Sequence, residues 1–271
     1  MARRTLVRDV AGPWSLATSR AFWEGFSPAA LPGPAPGAPI RWQTARVLAV
    51  RDETSQVKTF RLALPHRVRH MAGQYFVLRL TAPDGYTASR AYSLSSPPEG
   101  PDGSDVIDLT VELLDDGEVS EYLHEVVAPG DELEVRGPIG AFFAWDGTSP
   151  ALLVAGGSGI VPLMAMLRLA RREGRTDLVR LVVSVRSPAD LYFADELPGP
   201  EVTVAYTRAA PPGSARGVGR LTLADVAPLV RGGETVFVCG SARFADAATE
   251  LLLAAGVPTS SIRVERFGPS G

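Results

Sequence analysis

Cysteine is almost missing from this chain: Cys239 stands alone among 271 residues. That excludes an intrachain disulfide and a four-cysteine iron–sulfur cluster, so any redox chemistry needs an organic cofactor or a separate partner. Histidine is scarce as well. His66, His70 and His124 lack metal-ligand spacing, and no metal site is expected from them. Lys58 is the sole lysine among 27 basic residues, so arginine is the default cation and any single arginine is weak evidence of function. Excess positive charge is absent too, with a net charge of −3, which argues against nucleic acid as the main partner. No apolar run is long enough to span a membrane, because Gly156-Gly157-Ser158-Gly159 and Pro162 interrupt residues 151–167. The start MARRTLVRDVAG carries no apolar core behind its arginines, since Arg8 and Asp9 break it. It does not read as a signal peptide, and a cytoplasmic protein is expected.

What is present is enough hydrophobic sequence, 45% of residues, for two ordinary domains. Residues 1–40 end in SPAALPGPAPGAP, too rich in proline and glycine to fold, and read as an arm or linker. Trp14, Phe22, Trp23 and Phe26 precede it and suit docking on a folded body. From Trp42 to Trp145 the hydrophobic period is two. Ile107, Leu109, Val111 and Leu113 alternate with polar positions, as do Leu133 and Val135, and similar runs fill 46–51, 57–64, 74–80 and 89–95. Six short strands imply an antiparallel barrel or sandwich over 41–147, broken by one helix at about 120–127 with Ser120 as its N-cap. Over 148–271 strands at 151–155, 178–185, 202–207, 235–239 and 262–265 alternate with helices after 159, near 189–197, at 222–229 and at 242–255. This pattern predicts a doubly wound parallel sheet of five strands.

The organising stretch is ALLVAGGSGIVPLMAMLRLA, residues 151–170. A buried strand runs into Gly156-Gly157-Ser158-Gly159 and then a helix whose apolar stripe leaves Arg168, Arg171 and Arg172 outside it. Such a turn gathers free amides and the positive end of a helix dipole, which suits a phosphate; tight packing alone is the competing reading. Ligands of a parallel sheet sit beyond the carboxyl ends of its strands. That rim comprises Gly156–Gly159, Ser184–Arg186, Thr207–Arg208 and Cys239–Ser241. In the barrel, Ser89-Arg90-Ala91-Tyr92-Ser93 places an arginine and a serine around an aromatic. Either it is an edge strand, or Arg90 faces a diphosphate, Tyr92 a planar ring and Ser93 its reactive nitrogen. Gly117-Glu118-Val119-Ser120 is a second helix start, for phosphate or for capping alone.

The succession RAYS, GEVS, GPIG, GGSGIVP, CGS and ERFG, over about residues 42–271, resembles the ferredoxin–NADP reductase superfamily. The resemblance implies a flavin-binding barrel followed by a pyridine-nucleotide domain. It assigns Arg90, Ala91, Tyr92, Ser93 and Gly117, Glu118, Val119, Ser120 to FAD, and Gly156, Gly157, Ser158, Gly159 to the nucleotide diphosphate. Ser158 stands where many relatives have threonine. Cys239, Gly240 and Ser241 fall beside the nicotinamide, and Glu265 and Phe267 where the last strand approaches the flavin. Ser93, Cys239 and Glu265 are the implied catalytic residues; for Cys239 a plain buried hydrophobe competes. Ser184, Arg186, Thr207 and Arg208, with Arg216 nearby in sequence, imply NADP over NAD. The likeness is to the bare two-domain core, without an iron–sulfur domain, and the N-terminal arm has no counterpart in it. The implied activity is hydride transfer from NAD(P)H to FAD, then electron transfer to a separate one-electron protein such as a ferredoxin or flavodoxin. A flavin reductase or NAD(P)H oxidase, and a non-catalytic flavin-holding subunit, are the alternatives.

Overall fold

The computed structural model of the chain describes residues 40–100 and 103–267. The expected arm and its four aromatics lie, apart from Ile40, outside the described residues. The first sheet contains β1 (Gln43–Thr54), β2 (Val57–Val68), β3 (Tyr75–Thr81), β4 (Thr87–Ser93), β5 (Ser104–Glu112) and β6 (Glu132–Ile139). Its order is β4-β3-β6-β1-β2-β5, antiparallel throughout. The end strands meet at an isolated bridge, Leu94 with Leu109, and Ser95 N donates to Asp108 O at 2.9 Å. The six-stranded barrel is therefore curled almost shut rather than fully closed. Period two explains its filling: Phe60, Leu62, Phe76, Leu78, Ile107 and Leu109 turn inward and are almost fully buried.

The second sheet holds β7 (Ala151–Gly156), β8 (Val179–Val185), β9 (Val202–Tyr206), β10 (Thr235–Ser241) and β11 (Ile262–Phe267). All pairings are parallel, in the order β11-β10-β7-β8-β9. Every residue of β8 is buried, as a strand covered on both faces requires. Its one charge, Arg180, pairs with buried Glu234 and donates to Leu229 O. Chain order reverses between β7 and β10, the switch point where such sheets open a ligand crevice. Helices α2 (Ile160–Arg172), α3 (Leu223–Val226) and α4 (Ala242–Ala254) follow strands of this sheet, while α1 (Glu118–Glu125) caps the barrel.

Three expectations need correction. The span 189–197 is not a helix: a single 3-10 turn at Pro188–Asp190 gives way to Phe193 at φ 56°, and Leu191, Tyr192 and Phe193 are buried in succession. A positive φ at Phe193 leaves the right-handed helical region, so the turn cannot continue as a helix. The 222–229 helix shrinks to α3 plus a 3-10 turn at Ala227–Leu229, because Pro228 has no amide to continue the ladder. Ser120 is not the N-cap of α1. Gly117 takes that place, and Ser120 sits within the first turn, donating to Gly117 O at 2.9 Å and accepting from Leu114 N at 3.2 Å.

Candidate active site

The barrel contributes an edge. Among the described residues β4 ends the sheet, with β3 on one side only, so its other row of backbone groups is unpaired until the bridge at Leu94. Arg90 and Ala91 are exposed on it, Tyr92 is half-buried and Ser93 is buried. Among the described residues the Arg90 guanidinium donates only to its neighbour, Ser89 O at 2.9 Å, and stays open to an anion. Burial pushes the Tyr92 phenol above its ordinary range against the pull of Arg90, so the ring presents a neutral face. Beside β4 lies the start of α1, tied to the barrel by Tyr86 Oη donating to Glu118 at 3.1 Å. The first turn of α1 bonds Glu121 N to Gly117 O at 2.8 Å, leaving the amides of Glu118, Val119 and Ser120 ahead of it. A Cβ on Gly117 would meet Ser120 Oγ at 2.3 Å, which is why this position takes glycine. An exposed guanidinium, a flat phenol and free helix amides are the donor set a flavin dinucleotide needs, and these residues fit one.

The parallel sheet contributes the opposite wall. The loop Gly156–Gly159 crosses from β7 into α2, with Gly157 at φ 54° and open space around it. Gly159 packs so closely that a Cβ there would lie 2.0 Å from Cys239 O, and Gly156 and Gly240 lie under the ring of Phe244. Glycine thus joins β7 and β10 at the switch point and leaves the Gly157–Gly159 amides before the dipole of α2. A nucleotide diphosphate fits this donor set. Ser158 lies beside the buried phenol of Tyr192, which burial and then Glu112 push above the ordinary tyrosine range. Ser184 pairs in register with Gly156 and is buried. Arg186 and Arg208 are both exposed, and Arg208 N donates to Arg186 O at 2.9 Å, which brings the two residues together past β8 and β9, with half-buried Thr207 preceding Arg208. Arg216 is not part of this pair: its guanidinium is held by Asp225 at 2.7 and 2.9 Å.

The walls converge at four residues. Cys239 on β10 pairs in register with Ala155 and with Glu265 on β11, so their side chains lie on one face. The Glu265 residue is only half-buried, but burial of its carboxyl raises its pKa to about 7. Cys239 is fully buried, and burial followed by the nearby Glu265 keeps it a neutral thiol rather than a nucleophile. Glu265 also acts on Tyr75, whose phenol is raised first by burial and then by that carboxylate. Tyr75 is the cross-strand partner of Ser93. Ser93, Tyr75, Cys239 and Glu265 therefore form one junction between barrel and sheet. Gly240 follows Cys239, Ser241 caps α4 by accepting from Phe244 N at 3.3 Å, and Phe267, partly buried, ends β11 against the same core. Tyr75 and Phe244 escaped the sequence reading because each is an ordinary aromatic in its element; only the neighbouring glycines, Gly140 for Tyr75 and Gly156 for Phe244, signal them.

Residues 44–144 match the model of the oxidoreductase FAD-binding domain, and residues 153–250 that of the oxidoreductase NAD-binding domain. The chain belongs to the ferredoxin–NADP reductase superfamily of FAD- and NAD(P)-dependent oxidoreductases. Among curated proteins it is 32% identical to ferredoxin–NADP reductase B of Sorangium cellulosum, over 82% of this chain and 96% of that protein. It is 31% identical to the ferredoxin reductase component of 3-ketosteroid-9-alpha-monooxygenase from Mycolicibacterium smegmatis, again over 82% of this chain but only 64% of the relative. The flavohem-like FAD/NAD-binding domain of nitric oxide dioxygenase from Vibrio cholerae superposes with a TM-score of 0.71 at 26% identity, covering 84% of this chain and 99% of that one.

Proposed function

We propose that this chain uses bound FAD to oxidise NADPH and delivers the electrons to a separate one-electron redox protein, of ferredoxin or flavodoxin type, in the cytoplasm. Residues 41–147 form the FAD domain and 148–271 the NAD(P) domain, with 1–40 as an arm. FAD, when bound, supplies the capacity to accept a hydride and release electrons one at a time. The protein's part is binding and orientation. Arg90 and the α1 amides of Glu118–Ser120 hold the flavin diphosphate, and Tyr92 lies against its ring system. Gly157–Gly159 hold the nucleotide diphosphate, and Arg186 and Arg208 grip a 2′-phosphate. Ser93 orients the reacting edge, Cys239 gives the nicotinamide a small neutral wall, and Glu265, protonated up to about pH 7, holds a proton at its carboxyl beside both. Phe267 excludes water.

The observation behind this reading is the junction of Ser93 and Tyr75 from the barrel with Cys239 and Glu265 from the sheet. Anaerobic titration with NADPH and NADH tests it: FAD bleaches, NADPH is the better donor, and denaturation releases FAD. Stopped-flow mixing of the reduced protein with ferredoxins and flavodoxins then yields fast transfer that slows with salt. Uniformly slow transfer beside rapid reduction of free flavin or oxygen would establish a flavin reductase or oxidase instead.

A further inference from the structure

The groups assigned to flavin sit on the barrel and those assigned to nucleotide sit on the parallel sheet, so the approach of the two ligands depends on how the sheets are fixed to one another. Arg168 is the side chain that spans that join closest to Ser93 in sequence. Arg168, in the third turn of α2, donates through Nη1 to Ser95 O at 2.7 Å, two residues beyond Ser93. Its Nε and Nη2 form a bidentate pair with Glu196 at 2.8 and 2.5 Å, and its guanidinium lies over the Phe193 ring at 4.8 Å. Glu196 is approached in turn by Arg51 of β1 at 3.5 Å. Only 15% of the Arg168 side chain is exposed, so the fork is largely shielded from water. Ser95 is itself fixed where the barrel curls shut, by its amide on Asp108 O and its hydroxyl against Thr110. Helix α2 starts at the Gly156–Gly159 loop, so Arg168 connects the nucleotide loop, through one rigid helix, to the backbone that carries Ser93.

We propose that Arg168 is a positioning residue for flavin reduction, holding Ser93 and the glycine loop at a fixed separation; this rests on the function proposed above. A planar fork is needed, because the Nε–Nη2 edge of the guanidinium serves Glu196 while Nη1 reaches Ser95 O, a geometry an ammonium only partly reproduces. Arg171 on the same helix is the internal control: it binds Glu201 at 2.7 Å and the carbonyls of Glu196 and Pro198, all within the parallel-sheet half.

The test compares FAD-loaded wild type, Arg168→Ala, Arg168→Lys and Arg171→Ala. In Arg168→Ala the FAD content and half-saturating NADPH concentration stay near wild type. The limiting rate of anaerobic flavin reduction falls by about tenfold to a hundredfold, the scale expected of a misplacement near an ångström. The deuterium isotope effect from C4-labelled NADPH rises as this step becomes limiting, and Arg168→Lys recovers part of the rate. Without NADPH, amide hydrogen exchange at Leu94–Ser96 quickens in Arg168→Ala and not in Arg171→Ala. An unchanged limiting rate in Arg168→Ala, or an equal fall in Arg171→Ala, overturns the proposal and leaves the function standing. Wild type whose FAD neither nucleotide reduces overturns both.

Discussion

At the scale of single residues, Glu265 is the most consequential titratable group. Burial raises its carboxyl from an ordinary 4.5 to about 7. Between those values the folded protein retains a proton that the unfolded chain has released, so stability falls as pH rises from about 4.5 to 7. Glu265→Gln removes that liability: its melting temperature matches wild type near pH 4.5 and exceeds it at pH 8. Melting curves at the two pH values decide, and parallel curves would mean that the carboxyl titrates normally. Arg186 permits a second prediction. Arg186 and Arg208 are exposed just beyond the ends of the adjacent strands β8 and β9. Losing a charge-assisted bond costs about 1.5–3 kcal/mol. Arg186→Ala is expected to lower kcat/KM for NADPH by about tenfold to a hundredfold and leave that for NADH nearly unchanged; equal losses with both would place Arg186 away from the 2′-phosphate. Arg90→Ala should lose bound FAD at a similar cost, measured by flavin content after gel filtration.

At the scale of elements, two glycines two residues apart do different work. Gly159 has no room for a side chain, since a Cβ would meet Cys239 O at 2.0 Å; Gly157 has room but a left-handed backbone at φ 54°. Gly159→Ala therefore separates β7 from β10 and costs several kcal/mol, at the severe end for one methyl. Gly157→Ala costs about 1 kcal/mol, the penalty for a side chain in that backbone region, and weakens nucleotide binding by placing a methyl in front of the amides. Urea melts with NADP titrations separate the two, and similar losses of stability would refute the distinction. The same loop shows why much of the fold could be read in advance. Strand, glycines and amphipathic helix are local signals, and so are the alternations of β3 and β5. The loop at 188–200 could not be read that way. Its shape depends on Arg168 and Arg171 reaching across from α2 to Glu196, Pro198 and Glu201, contacts that are 25 to 30 residues away in sequence. For the same reason the sequence marks Arg168 only as lying off the apolar stripe, and carries no local sign that Tyr75 comes under the influence of Glu265.

At the scale of the whole molecule, the two sheets share more than a polar latch. One apolar cluster contains Val57, Ala72, Phe143 and Trp145 from the barrel half together with Leu163, Met166 and Phe237 from the parallel half. Phe143 meets Phe237 edge to face at 5.3 Å, and Trp145, 2% exposed, pairs with Ala72 and donates its indole N–H to Ser149 O at 2.9 Å. Arg263 of β11 seals the far side by donating to Phe142 O and Ala144 O at 3.0 and 2.9 Å. Domains joined by a small polar contact usually melt apart, but here each half completes the other's core. Calorimetry of the FAD-loaded protein is therefore expected to give one transition, with calorimetric and van't Hoff enthalpies in agreement. Trp145→Ala should cost about 3–5 kcal/mol, the usual range for deleting a buried aromatic, and split that transition in two as the shared cluster empties. Two resolved transitions in wild type, with the nucleotide half melting independently of FAD, would show that the halves are only tethered. The separation of flavin from nucleotide would then have to be set by bound ligands rather than by the core and Arg168.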